Sequence, residues 1–206
     1  MGRIFRIGID ADDILFPYVP GLLNFSNKKY GTKFKPEMVL RYDFSFLGKD
    51  PEEAKRKMDE FVETPEFRAA EPLEGALEGI KRFFIQGYIL SVVSGRRESL
   101  RSFTEERIAR YFPGQFSGIY LTNQFQNHGP KTTKANLARE LNLDFIIEDA
   151  LENALPVAES GTSVLILDYP WNRFEYALPE GSGKVYRGLK SWSEINNKVD
   201  QLALIS

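Results

Sequence analysis

The chain has 206 residues, 42% of them hydrophobic, enough to pack a core as one domain or as one domain carrying an insertion. Its 27 basic and 29 acidic residues nearly cancel, so no broad basic field points to polymeric nucleic acid or an anionic membrane as partner. Cysteine is absent and His128 is the single histidine, which removes disulfides and thiolate chemistry and argues against a His-rich metal site or a Ser-His-Asp triad; carboxylates, hydroxyls, lysine and arginine remain.

In chain order, RIFRIGID (3 to 10) reads as a strand and runs into the acids Asp10, Asp12 and Asp13. No strand signal follows until after Glu71. VPGLLNFSNKKY and DPEEAKRKMDEFVET read as helices separated by the aromatic RYDFSFLG (41 to 48). Such an interval exceeds an ordinary crossover. It predicts a helical cap at 17–71 inserted into a core formed by 1–16 and 72–206, with Pro72, Gly75 and Gly79 marking the return.

Beyond that point strands and helices alternate. YILSVVS (88 to 94), FSGIYLT (116 to 122), DFIIED (144 to 149) and TSVLILD (162 to 168) read as strands. The segments 74 to 86, 97 to 112, 133 to 142, 150 to 160 and 192 to 205 read as helices. This alternation predicts an α/β fold: a Rossmann-like three-layer core with a parallel sheet covered on both faces. No apolar run approaches the roughly 20 residues of a membrane span and no signal-type core opens the chain, so a cytoplasmic location is expected.

Ligands of such sheets bind at the carboxyl edge of the strands. There the first strand ends in Asp10, the second in Ser94-Gly95-Arg96, and the fourth in Glu148-Asp149, while Lys134 opens the helix before the fourth strand. If these strands are neighbours, the groups form one device. Asp10 can attack phosphorus to form an aspartyl phosphate. Asp12 can protonate the leaving oxygen and later deprotonate water. The Ser94 hydroxyl and the amides around Gly95 can bind phosphoryl oxygens, and Lys134 offsets developing charge. So many carboxylates would repel a phosphate, and Mg2+ resolves the conflict.

DADDI after an apolar strand, SVVSGR, Lys134 and IIEDA occur in the order of the four motifs of the haloacid dehalogenase-like superfamily of phosphohydrolases. The chain resembles the branch related to 5'(3')-deoxyribonucleotidases, through FVETPEF, EPLEGALEGIKRF and YPWN (169 to 172) as well. The resemblance implies Asp10 as nucleophile, Asp12 as acid/base, Ser94 and Lys134 as phosphate ligands, and Mg2+ held by Asp10, Asp149 and the Asp12 backbone carbonyl. It departs from the family pattern at Ala11, at Asp13 where glycine is common, at Glu148, and at Asn153 where some members carry a second acid.

The expected function is a Mg2+-dependent phosphomonoester hydrolase, a nucleotidase acting on a nucleoside monophosphate. A sugar-phosphate phosphatase or phosphomutase of the same superfamily and a receiver-like signalling domain are the alternatives; the latter should end its third strand in an acid, where this chain has Leu121-Thr122-Asn123. Halide removal is disfavoured because a leaving halide needs no proton from Asp12. Several residues keep two readings. Asp13 caps the first cap helix or is part of the site, and Glu148 supports the metal ligands or joins them. Arg96 and Arg97 clamp phosphate or are solvated. Lys131 competes with Lys134. Tyr42, Phe44 and Phe46 pack the cap, or share one face for stacking if their segment is extended.

Overall fold

The computed structural model describes residues 3–123, 129–173 and 184–205; His128 lies outside them. Six parallel strands, β1 (Arg6–Ile9), β2 (Ile89–Ser94), β3 (Phe116–Leu121), β4 (Phe145–Glu148), β5 (Ser163–Leu167) and β6 (Val185–Leu189), form one sheet in the order β3-β2-β1-β4-β5-β6. The order reverses between β1 and β4, which makes the carboxyl edge there the crevice of the fold.

Side chains along the strands alternate between two cores, as the pleat requires. Ile7, Ile9, Val92, Ile147 and Leu165 face α4 (Ala76–Ile85), α5 (Arg101–Tyr111) and α8 (Trp192–Ala203). Val93, Ile146, Val164 and Ile166 face α6 (Lys134–Glu140) and α7 (Leu151–Glu159) on the other side. Gly8 lets that second layer close over β1, since a Cβ there would lie 2.6 Å from Leu143 Cδ1. Helices therefore cover both faces, as the alternating sequence predicts. None among the described residues is long and apolar enough to cross a membrane.

Between β1 and β2 the chain builds α1 (Val19–Tyr30), α2 (Pro51–Val62) and the short α3 (Pro65–Ala69), with 3-10 turns at Pro36–Met38 and Ser45–Leu47. α2 starts sharply because the Asp50 side chain accepts from Glu53 N at 2.8 Å, with Pro51 as the first helical residue. Val19, Leu22, Leu23, Phe44, Phe61 and Phe67 bury into a core of their own, joined by Leu100 and Trp171 from the sheet side.

Two expectations are corrected. β6 carries no predicted strand, because VYRGL is a half-buried edge with a glycine rather than an alternating apolar run. The segment of Tyr42, Phe44 and Phe46 is not extended. Phe44 has φ 54° and starts a 3-10 turn, so Tyr42 and Phe44 meet edge to face at 4.7 Å while Phe46 turns to Phe34 at 5.1 Å.

Candidate active site

β1 hands its last peptide to the neighbouring strand, Asp10 N donating to Ile147 O at 3.1 Å, so Asp10 leaves the sheet at the crevice beside β4. Its Oδ1 accepts from Ala11 N at 2.7 Å, and its Oδ2 lies 2.7 Å from Lys134 Nζ. Burial pushes the Asp10 carboxyl up to about 7 against the pull of Lys134, with Glu148 and Asp12 adding to the rise.

Lys134 is the first residue of α6, whose start is fixed by Thr133 Oγ1 accepting from Asn136 N at 3.1 Å. The ammonium is wedged between Asp10 and Glu148. Burial works against its charge, but the two carboxylates outweigh burial and hold it above the ordinary lysine range. Lys131 is exposed, whereas Lys134 is buried.

Glu148 ends β4 and Asp149 follows it, and with Asp10 they bring carboxylate oxygens within 4.8 Å of one another. Both Glu148 oxygens already have partners: Oε1 takes Lys134, and Oε2 accepts from Asp149 N and Ala150 N at 3.0 and 3.1 Å. Asp149 differs. Its Oδ2 accepts from Trp171 Nε1 at 2.9 Å, but its buried Oδ1 meets no partner among the described residues. Burial first, then Glu148, Asp13 and Asp10, push this carboxyl well up. An orphaned acidic oxygen beside two more buried acids is the arrangement a hard divalent cation satisfies. The donor set therefore fits magnesium.

Asp12 lines the same cleft as Asp10. Arg96 grips it in a fork, Nη2 to Oδ1 at 2.7 Å and Nε to Oδ2 at 3.0 Å. The guanidinium is buried, donates from Nη1 to Thr104 Oγ1 at 3.0 Å, and lies over Phe67 and Phe103. Burial opposes its charge and Asp12 outweighs burial. Neither the solvated nor the phosphate-clamping reading describes this arginine as it stands. Arg97 pairs instead with Asp59 of α2.

Ser94 closes β2 fully buried, its Oγ 3.4 Å from Arg96 N, while the wall of the cleft at that turn is Gly95. Asp13 is bound up elsewhere. Its carboxylate accepts from Tyr18 N at 2.9 Å and from Val19 N at 3.0 Å, capping the start of α1. Burial pushes that carboxyl up to about 8 against those amide bonds. Asp10, Asp12, Gly95 and Lys134 thus line one cleft with Asn153, Tyr42 and Phe44, and its cavity volume is ≈70 Å³.

Three supports are absent from the sequence reading. Trp171 orients Asp149, Asn172 Nδ2 binds Asp149 O and Leu167 O at 2.7 Å each, and Arg96 holds Asp12. Trp171 also stacks on Tyr169 at 4.4 Å. The one available signal was YPWN itself, a compact polar-aromatic turn directly after a buried strand.

No family model and no curated protein matches the chain. Solved structures do. A haloacid dehalogenase-like family hydrolase from Streptococcus pneumoniae superposes with TM-score 0.63 at 18% identity, covering 98% of this chain and 99% of that one. A predicted phosphoglycolate phosphatase from Haemophilus somnus gives 0.63 at 15% identity over 95% and 98%. A candidate beta-phosphoglucomutase from Bacteroides vulgatus gives 0.65 at 16% identity over 98% and 91%. The chain has the fold of the haloacid dehalogenase-like hydrolases.

Proposed function

We propose that the protein is a magnesium-dependent phosphomonoesterase for a small phosphorylated metabolite, working through an aspartyl phosphate on Asp10. The observation that carries this reading is the Asp10–Lys134–Glu148 array beside the unpartnered Oδ1 of Asp149. Buried carboxylates arranged around one ammonium need a compensating ligand, and a metal with a phosphoryl group supplies it.

An Asp10 oxygen attacks phosphorus, forming the carboxyl–phosphate bond as the ester P–O bond breaks. Asp12 passes its proton to the departing oxygen, and in the second step takes one from the water that attacks the acyl phosphate and frees Asp10. Lys134 and the Gly95 amide offset charge on the phosphoryl oxygens, with Ser94 fixing that turn. The cation would be held by Asp10, Asp149 and the Asp12 carbonyl, with Glu148 holding Lys134 and the chain turn. Magnesium, when bound, neutralises the phosphoryl oxygens toward the nucleophile. Residues 17–71 act as a cap on the core of 1–16 and 72–206, closing the cleft with Tyr42, Phe44 and Met58.

Phosphoglycolate and glucose phosphate chemistry in the names of the similar structures supports a small substrate. So does a cleft of ≈70 Å³, against roughly 300–1,000 Å³ for drug-sized ligands. A nucleoside monophosphate requires this cleft to widen. The receiver alternative fits poorly, since such domains order their strands 2-1-3-4-5 and β3 here ends in Leu121. Phosphate release from a panel of monophosphates with Mg2+ tests the proposal. Turnover that Asp10→Asn abolishes is expected; no turnover of any ester, or full activity in Asp10→Asn, defeats it.

A further inference from the structure

Resting on the phosphatase reading, we infer that the hydroxyl of Tyr18 donates a hydrogen bond to the oxygen that leaves phosphorus, beside the proton delivered by Asp12. Tyr18 N donates to Asp13 Oδ1 at 2.9 Å, so the residue is fixed to the turn that follows the reacting acids. Its ring stands edge to face with Phe44, Phe61 and Phe67, centroids 5.9, 5.5 and 6.1 Å away. Phe67 is shared with the reacting end: Arg96, which forks Asp12, lies 5.6 Å over the same ring. Tyr18, Asp12 and Arg96 accordingly line one cleft.

Packing explains the ring but not its oxygen. Three phenylalanines surround Tyr18, and a fourth would fill the place without a polar atom. The side chain is 8% exposed, yet among the described residues the hydrogen bonds of Tyr18 run through its backbone, N to Asp13 and O from Leu22. A phenol at that depth ordinarily finds a partner, and one left bare is destabilising. Asp12 is held by Arg96, and Asp59 by Arg97 and Lys55; neither takes the hydroxyl. Tyr42, another phenol of the cleft, is only half-buried, where water can serve it. The partner that fits Tyr18 is therefore a ligand atom next to Asp12. Burial first, then Asp12 and Asp13, push the phenol above its ordinary range, with Arg96 pulling the other way. It stays protonated, so it donates and does not act as a base. Asp12 must reach the departing oxygen to protonate it. Charge grows on that oxygen as the ester bond breaks, and a donor already in place stabilises it without reorganising. No bond to Tyr18 forms or breaks, and the proton transferred is that of Asp12.

The full chain with Mg2+ is assayed on 4-nitrophenyl phosphate and on the alkyl phosphate of the monophosphate panel that it turns over fastest. Tyr18→Phe keeps the ring and removes only the oxygen. It should lower kcat/KM for the alkyl ester by about tenfold, the scale of one hydrogen bond. The nitrophenyl ester should change little, because that leaving group carries its own charge. The Tm of Tyr18→Phe should equal or exceed that of the parent, since a bare hydroxyl is gone. An equal change on both esters, no change on either, or a fall in Tm would make the hydroxyl a part of the packing and overturns the inference. Tyr18→Leu opens a hole in the ring cluster and should lower Tm as well. A leaving-group ratio restored to that of the parent in Tyr18→Leu also overturns it, because the oxygen is missing there too. If the parent turns over no alkyl phosphate, the phosphomonoesterase reading fails and the inference with it.

Discussion

Arg96 and Asp12 form a two-point fork across the crevice, with Nη2 2.7 Å from Oδ1 and Nε 3.0 Å from Oδ2. A carboxylate has about four lone-pair sites, so the fork fixes its plane and still leaves sites for a proton. The third contact, Nη1 to Thr104 Oγ1, fixes the guanidinium in turn. On the proposed function, in which Asp12 is the acid/base, Arg96 is a positioning residue for it. Arg96→Met should lower kcat for alkyl phosphates by about 10²-fold, the lower end of a general acid–base contribution, with less change for a nitrophenyl ester whose leaving group needs no proton. Leaving-group dependence of kcat checks this, and an equal loss on both esters, or a rise in KM alone, contradicts it.

Most of the secondary structure was legible because strands and helices differ in apolar period. IGID, ILSVVS and FIIE are buried runs, and α1 and α2 announce themselves by spacing, by Asp50 and by proline at their starts. The acids and Lys134 were legible by their order at strand and helix ends. What tied them together was not. The Arg96–Asp12 fork spans 84 positions and Trp171–Asp149 spans 22, and both depend on which strands are neighbours. The sequence marks neither pairing. Glu148 illustrates the limit: its place next to Asp149 was visible, but the engagement of both its oxygens by Lys134 and two amides appears only once α6 is docked.

Metal binding is measurable without turnover. Asp10, Glu148 and Asp149 are buried together and one of their oxygens lacks a partner, so an added cation relieves the folded state while doing little for the unfolded chain. Magnesium at a hundredfold its Kd should add about 2.7 kcal/mol of stability, several degrees in Tm for a chain of this length. Asp149→Asn should abolish the shift. A Tm independent of magnesium, or an undiminished shift in Asp149→Asn, would place the cation elsewhere.

Trp171 should tune that affinity from outside the coordination. Its indole N–H fixes Asp149 Oδ2 at 2.9 Å, while Oδ1 has no partner among the described residues. Trp171→Phe keeps an aromatic against Tyr169 but removes the donor, so Asp149 loses its orientation. Loss of such a support weakens metal affinity by about 10–100-fold. Titration of the magnesium-dependent Tm shift measures it, and an unchanged midpoint would assign Trp171 to packing alone.

Asp13 separates capping from chemistry. It joins the turn after β1 to α1, accepting from Tyr18 N and Val19 N, and it sits at φ 56°, where a Cβ is strained. Asparagine tolerates that conformation and keeps one acceptor oxygen, whereas alanine keeps the strain and leaves buried amides unsatisfied. Asp13→Ala should therefore cost about 2 kcal/mol, and Asp13→Asn distinctly less. Urea midpoints at constant m compare the two. The activity of folded Asp13→Asn should stay near that of the parent, unlike Asp10→Asn or Asp12→Asn; a catalytic loss in a variant of unchanged stability would return Asp13 to the reacting groups.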